Sequence, residues 1–165
     1  MSKPRVGVVG FNYWGPNLAR NFDDLADLAY VCDLSPELLE KAAARHSDAR
    51  ITADYDELLN DAALDAIVVA TSVPTHYALA KKALLAGKHV FVEKPPATKA
   101  SEMDELVALA AERDLTLMPG HLLLYDPGVV KVKELVDAGE LGDVLCVYGN
   151  RQNLGIIRSN RSEEH

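Results

Sequence analysis

Gly10 and Gly15 bracket the stretch in which this sequence could do chemistry, Arg5-Val6-Gly7-Val8-Val9-Gly10-Phe11-Asn12-Tyr13-Trp14-Gly15-Pro16-Asn17-Leu18. An apolar run that reads as a buried strand meets Gly10, turns within a few residues, and resumes at Gly15 as a helix. The first N–H groups of a helix have no partner inside it, and the helix dipole adds partial positive charge. A turn of this kind therefore suits a phosphate. The spacing follows the dinucleotide fingerprint Gly-x-Gly-x-x-Gly at Gly10, Asn12 and Gly15, with asparagine in the middle position. Asparagine tolerates the left-handed backbone better than other side chains do, but it crowds a pyrophosphate.

A second feature stands at the matching distance. The next apolar run, Leu28 to Cys32, ends at Asp33, 18 residues beyond Gly15. A carboxylate there can accept both hydroxyls of an adenine ribose and would repel a 2′-phosphate, so the pair points to NAD rather than NADP. Two glycines alone could serve packing, and Asp33 alone could be an ordinary strand-end residue. The dinucleotide reading rests on the two together.

The rest of the chain supplies elements to position these groups. Ser35 and Pro36 open a helix predicted to run to about Arg45. A short strand is predicted near Ile51 and a brief helix over 55–59. Ala66 to Ala70 reads as a fully buried strand, followed by the turn Thr71-Ser72-Val73-Pro74-Thr75 and a helix from His76 to Ala86. His89 to Val92 is the next strand, running into Glu93-Lys94-Pro95. Ser101, with Asp104 three residues on, predicts a helix start, and that helix runs to about Arg113. Leu115 to Met118 reads as a strand, Asp126 to Ala138 as a helix, and Gly142 to Tyr148 as a last strand. Strand and helix alternate with short connections, which predicts an α/β fold: a doubly wound, mostly parallel sheet in three α/β/α layers. In such sheets ligands bind outside the carboxyl ends of the strands. That rule collects Gly10–Gly15, Asp33, Thr71, Ser72, Pro74, His76, Glu93, Lys94, Pro95 and His121 around one crevice.

Bulk properties narrow the class. The 165 residues amount to about one domain, and 48% apolar with 25% charged residues is an ordinary globular composition. A net charge of −8 argues against a nucleic acid or an anionic membrane as partner. No apolar run approaches the ~20 residues of a membrane span, and Met1-Ser2-Lys3-Pro4 does not open a signal peptide. Cys32 and Cys146 sit in apolar runs and read as buried thiols of a reducing compartment, so the expected location is cytoplasmic. The histidines and cysteines show no metal-site spacing.

Within this frame the sequence resembles the Gfo/Idh/MocA family of sugar and inositol dehydrogenases. The resemblance rests on Val92-Glu93-Lys94-Pro95, preceded by Ala86-Gly87-Lys88-His89-Val90 and by Ala70-Thr71-Ser72-Val73-Pro74-Thr75-His76, and it runs from Arg5 to about Asn160. Tyr13-Trp14-Gly15-Pro16-Asn17-Leu18 and Gly120-His121-Leu122-Leu123-Leu124-Tyr125-Asp126-Pro127 look like the branch that oxidises nucleotide-linked sugars. The resemblance implies that Lys94 is the active-site lysine, hydrogen-bonding the substrate hydroxyl and assisting proton transfer. It also implies a cis peptide before Pro95. A lysine at a strand's carboxyl end beside a nicotinamide is well placed to polarise an alcohol; the plainer alternative is a surface lysine paired with Glu93, worth under ~1 kcal/mol. His121 is expected to face substrate or nicotinamide. His76 either lines the cofactor site or packs at the rim, while His46 and His89 read as structural. Tyr13 and Trp14 either touch ligand or simply bury their rings.

The resemblance further implies a second, α+β domain holding the principal acid/base histidine. On that reading residues 1–141 are the dinucleotide-binding domain and 142–165 a truncated start of the second. The expected consequence is NAD binding without useful turnover. The strand over 142–150, lacking sheet partners, is expected to pair with another chain, giving a homo-oligomer, or to stay unstructured. Two other readings remain open: a stand-alone NAD-binding module or sensor, and a protein-interaction domain on the same scaffold.

Overall fold

The computed structural model describes residues 3–150. Its first strand, β1 (Arg5–Val9), shows why the apolar runs are continuous. Val6 and Val8 pack into one layer with Phe11 and Ala19, while Val9 packs into the other with Leu58, Ile67 and Leu84. Successive strand residues point to opposite faces, and with helices on both faces both sets must be apolar.

The chain then alternates α1 (Gly15–Leu25), β2 (Asp27–Cys32), α2 (Pro36–Arg45), β3 (Arg50–Thr52), α3 (Tyr55–Asn60), β4 (Ala66–Val69), α4 (Val73–Leu85), β5 (His89–Val92), α5 (Ala100–Glu112) and β6 (Leu117–Pro119). The strands lie in the order β3-β2-β1-β4-β5-β6, and every neighbouring pair is parallel. This is the order of a doubly wound dinucleotide fold, whose switch point falls between β1 and β4. The register aligns the strand ends. Thr52, Cys32, Val9, Val69, Val92 and Pro119 form one row of mutual partners across the sheet. Whatever follows each of those residues emerges along the same edge.

Several boundaries differ from the sequence expectation. Helix α4 begins at Val73 rather than His76, because Pro74 fits the first turn, where no amide donor is required. Helix α5 begins at Ala100, and Ser101 caps nothing; Glu102 reaches back to the Thr98 N–H at 3.3 Å instead. Strand β6 lies over Leu117–Pro119, two residues later than expected at its start.

The chain divides into two compact units, the first ending at Gly120 and the second beginning at His121. The second unit contains a 3-10 turn (Leu122–Tyr125) and α6 (Pro127–Asp137). The Asp126 carboxylate caps α6, accepting from the N–H groups of Gly128 at 2.9 Å and Val129 at 3.2 Å. Gly139 follows its end with φ +71°. The strand expected over 142–150 does not form. A strand's amide and carbonyl groups need a neighbouring strand, and none of the six described strands pairs with this segment. Residues 151–165 lie outside the described part, and with them the end of the segment assigned to a second domain.

The same change separates the two cysteines. Cys32 is buried in β2, whereas Cys146, expected to be buried, is exposed on the unpaired segment. Burial, reinforced by the Asp33 charge, pushes the Cys32 thiol up to about 12. Iodoacetamide at pH 8 should therefore alkylate Cys146 within minutes and Cys32 only on unfolding. Peptide mass mapping reads the difference, and equal labelling of the native protein would contradict it.

Candidate active site

Gly10 ends β1 with φ +91°, a conformation that L side chains rarely adopt, and its amide donates to the Cys32 carbonyl at 2.8 Å. A Cβ on Gly10 would stand 2.7 Å from the Ala70 carbonyl group. A Cβ on Gly15 would stand 2.0 Å from the Gly10 carbonyl oxygen. The two glycines let the start of α1 press directly against the end of β1, which places the helix N-terminus at the strand edge.

The middle position works differently from the expectation. Asn12 does not occupy the left-handed region; among the described residues only Asp114 and four glycines have positive φ. The carbonyl of Asn12 accepts from Gly15 at 2.7 Å, and its side-chain Oδ1 accepts from the Tyr13 N–H at 2.9 Å. Trp14 precedes α1 without a capping side chain. The main-chain N–H groups of Asn12 and Trp14 find no acceptor among the described residues. Two unmatched donors in an exposed turn at a helix start are what a diphosphate requires. The rings of Tyr13 and Trp14 meet edge to face at 6.0 Å and stay exposed, so burial does not account for them.

Asp33 follows β2 and is half-buried. Its Oδ2 accepts from the Phe11 N–H at 2.7 Å and its Oδ1 from the Ser35 N–H at 2.9 Å. Each carboxylate oxygen keeps capacity for another donor, so the group can hold the turn and still accept ribose hydroxyls. The role of the Phe11 amide was not legible from the sequence, because it depends on a pairing between residues 22 positions apart.

On the other side of β1, Thr71 and Thr75 join through their hydroxyls at 2.7 Å, and the Thr75 hydroxyl also donates to the Ser72 carbonyl. Ser72 and Pro74 are exposed at the start of α4. The ring of His76 is buried, with Nε2 2.9 Å from the Thr71 carbonyl oxygen and Nδ1 2.8 Å from that of Pro95. After β5 comes Glu93, whose Oε2 accepts from the Lys94 main-chain N–H at 3.2 Å. The Lys94–Pro95 peptide is cis, as the resemblance implied. The side chain of Lys94 is exposed and forms no ion pair among the described residues, so the surface pairing with Glu93 is not made. Gly120, which with His121 the strand-end rule placed at the same edge, leaves room for Glu93: a Cβ there would meet Glu93 Oε1 at 3.2 Å.

The structure thus sets Gly10–Gly15, Asp33, Thr71–His76 and Glu93–Pro95 beyond one row of strand ends. His121 starts the second unit, preceding its 3-10 turn. His46 and His89 are structural: His46 is buried against Asp23 at 2.9 Å, and His89 Nδ1 accepts from the Thr116 N–H. Among the described residues no group of three or more His, Cys, Asp or Glu could hold a metal ion, and no helix is long and apolar enough to cross a membrane.

Comparison with known proteins gives the same assignment. The sequence model of the Gfo/Idh/MocA oxidoreductase family, an NAD-binding Rossmann fold, matches residues 4–121. The chain belongs to this family. An uncharacterized oxidoreductase of Streptococcus pneumoniae is 36% identical over 149 residues, covering 89% of this chain and 40% of that protein. Scyllo-inositol dehydrogenase from Lactobacillus casei, solved with NAD(H) and scyllo-inositol, superposes with a TM-score of 0.79 at 27% identity, covering 86% of this chain and 43% of its own. UDP-N-acetylglucosamine 3-dehydrogenase from Acidithiobacillus ferrooxidans gives 0.74 at 33% identity, covering 81% and 44%. The chain spans less than half the length of these relatives. Its cofactor is NAD, and the free amides of Asn12 and Trp14 beside the Asp33 carboxylate fit that group.

Two substitutions test the turn. Gly15→Ala drives a methyl group into the Gly10 carbonyl and should cost roughly 3 kcal/mol of stability, with NADH binding lost; a thermal melt and a fluorescence titration check both. Asn12→Gly removes the side chain that crowds the outer face of the turn, so NADH affinity should rise about threefold to tenfold. Weaker binding by calorimetry would mean that the amide side chain itself contacts the diphosphate.

Proposed function

We propose that this chain is the cofactor-binding part of an NAD-dependent dehydrogenase acting on a secondary hydroxyl of a sugar or nucleotide sugar. The observation that carries the reading is the pair of unmatched turn amides next to Asp33, with an unpaired lysine two strands away along the same sheet edge. When bound, NAD supplies the hydride acceptor.

The chain's own groups then divide the work. The Asn12 and Trp14 amides hold the diphosphate, and Asp33 accepts the ribose hydroxyls and excludes a 2′-phosphate. Thr71, Ser72 and Pro74, with Glu93 and Pro95, border the nicotinamide half. Lys94 Nζ donates a hydrogen bond to the substrate hydroxyl oxygen and assists the departure of its proton. Tyr13 and Trp14 lie over the entrance to the turn. The nucleotide-sugar preference draws support from residues 13–18 and 120–127 and from the 33% identity to the UDP-N-acetylglucosamine 3-dehydrogenase.

Hydride transfer requires a site closed to water, and Lys94 is exposed. This chain alone is therefore expected to bind NADH without measurable oxidation of a polyol or sugar. Titration of NADH and NADPH against the wild type and Asp33→Ala tests the assignment. Loss of charge-assisted bonds to the ribose should weaken NADH about tenfold or more, and the preference for NADH over NADPH should shrink. Equal affinities in the two proteins would refute the site.

A further inference from the structure

One buried ring holds two carbonyl oxygens on the catalytic side of the sheet. His76 lies on the inner face of α4, sharing it with Val73, Ala80, Ala83 and Leu84, and is 1% exposed. Its Nε2 is 2.9 Å from the Thr71 carbonyl oxygen and its Nδ1 2.8 Å from the Pro95 carbonyl oxygen. Carbonyl oxygens only accept, so the ring must supply the proton in each contact. The imidazolium donates to both at once, and the neutral ring to either one, depending on tautomer. Both partners are main-chain groups of loops that flank the functional edge: Thr71 follows β4, and Pro95 follows Lys94.

The chain is fixed on the other side of Lys94 as well. The Glu93 N–H donates to the Val69 carbonyl at 2.9 Å, and the Lys94 N–H leans on Glu93 Oε2. Lys94 therefore projects from a short segment pinned at both flanks, by the sheet before it and by His76 after it. The strand order β2-β1-β4-β5 sets the direction of the cofactor. With the diphosphate at the end of β1 and the adenine ribose at Asp33 after β2, the nicotinamide half extends over the ends of β4 and β5.

We propose that His76 is a positioning residue: by tying the Thr71 turn to the Pro95 peptide it fixes Lys94 and the β4 loop against the nicotinamide half, without itself touching the dinucleotide. The proposal rests on the reading of this edge as the NAD site. A ring present only to fill space would be replaceable by phenylalanine. A ring that sets these two loops would not, and its loss would be felt by one half of the cofactor only.

ADP-ribose lacks the nicotinamide but keeps every group that the turn and Asp33 bind, so it separates the halves. Calorimetric titration of this chain with NAD+ and with ADP-ribose is the test, in the wild type, His76→Phe and His76→Gln. His76→Phe is expected to weaken NAD+ about tenfold and to leave ADP-ribose within about twofold, the loss corresponding to hydrogen bonds that only the nicotinamide side depends on. His76→Gln, with two N–H donors on one nitrogen, is expected to recover part of that loss. Wild-type affinities for both ligands in His76→Phe, or a parallel loss of both, would overturn the proposal. If His76→Phe does not fold, His76→Gln decides: a loss selective for NAD+ upholds the role, and an unchanged ratio overturns it. A wild type that binds neither ligand would refute the NAD reading itself, and the proposal with it.

Discussion

The carboxylate of Asp33 takes one main-chain N–H from each of two loops, Phe11 after β1 and Ser35 after β2. This bridge is the constraint on which the cofactor edge depends. It ties Phe11, in the glycine turn, to the neighbouring strand end, so the turn cannot drift away from the carboxylate proposed to accept the ribose hydroxyls. The β1–β2 register makes the bridge possible, since Val9 and Cys32 are partners and Gly10 donates to the Cys32 carbonyl. A carboxylate in this role is already partly desolvated and oriented before a ligand arrives, so ribose binding need not bear the whole cost of ordering it.

The glycines on either side of the turn act through space rather than through flexibility. Gly15 has an ordinary helical backbone, and what excludes a side chain there is the carbonyl of Gly10. Gly10 combines both demands, a positive φ and the backbone of Ala70 close by. The middle position imposes neither on the protein itself, which explains how asparagine can stand there without strain. In the fingerprint the middle glycine serves the approach of the pyrophosphate, a demand made by the ligand and not by the fold. The Asn12 side chain meets that demand only in part, by folding back onto the Tyr13 amide. The chain keeps the turn and alters only its outer surface.

These distinctions mark what sequence could and could not show. The six parallel strands were legible because each apolar run is short, buried on both faces and punctuated by a strand-end residue of special type. The diphosphate turn and Asp33 were legible because the fingerprint is a spacing within one βαβ unit. The segment over 142–150 was not, since Val144, Leu145, Val147 and Tyr148 carry the composition of a strand and only a neighbour can make them one. For the same reason Cys146 was misplaced: burial is a property of the partner as much as of the residue. Likewise, the start of α4 turned on whether Pro74 belongs to a turn or to a first helical turn, which the two sequence patterns share. The links Asp33–Phe11 and His76–Pro95 join positions 22 and 19 residues apart, and no local pattern announces them.

The two ends of the site are built from different materials, and this bears on how each tolerates change. The adenosine and diphosphate end is largely main chain, with amides offered by a turn that two close glycine contacts hold in shape. Side-chain variation at Tyr13 or Trp14 leaves those donors where they are. At the other end the reactive group proposed above is one lysine side chain on an exposed segment, and its position is inherited from the Glu93 amide, the Glu93 carboxylate and the Pro95 carbonyl. Gly120 belongs to the same set, because the room it leaves is where the Glu93 carboxylate lies. Binding of the dinucleotide is thus a property that the first compact unit can retain almost independently of its surface, whereas placement of Lys94 depends on a chain of side-chain contacts in which each member is replaceable only at the expense of the next. That asymmetry makes dinucleotide binding and the placement of Lys94 separable properties of this fold.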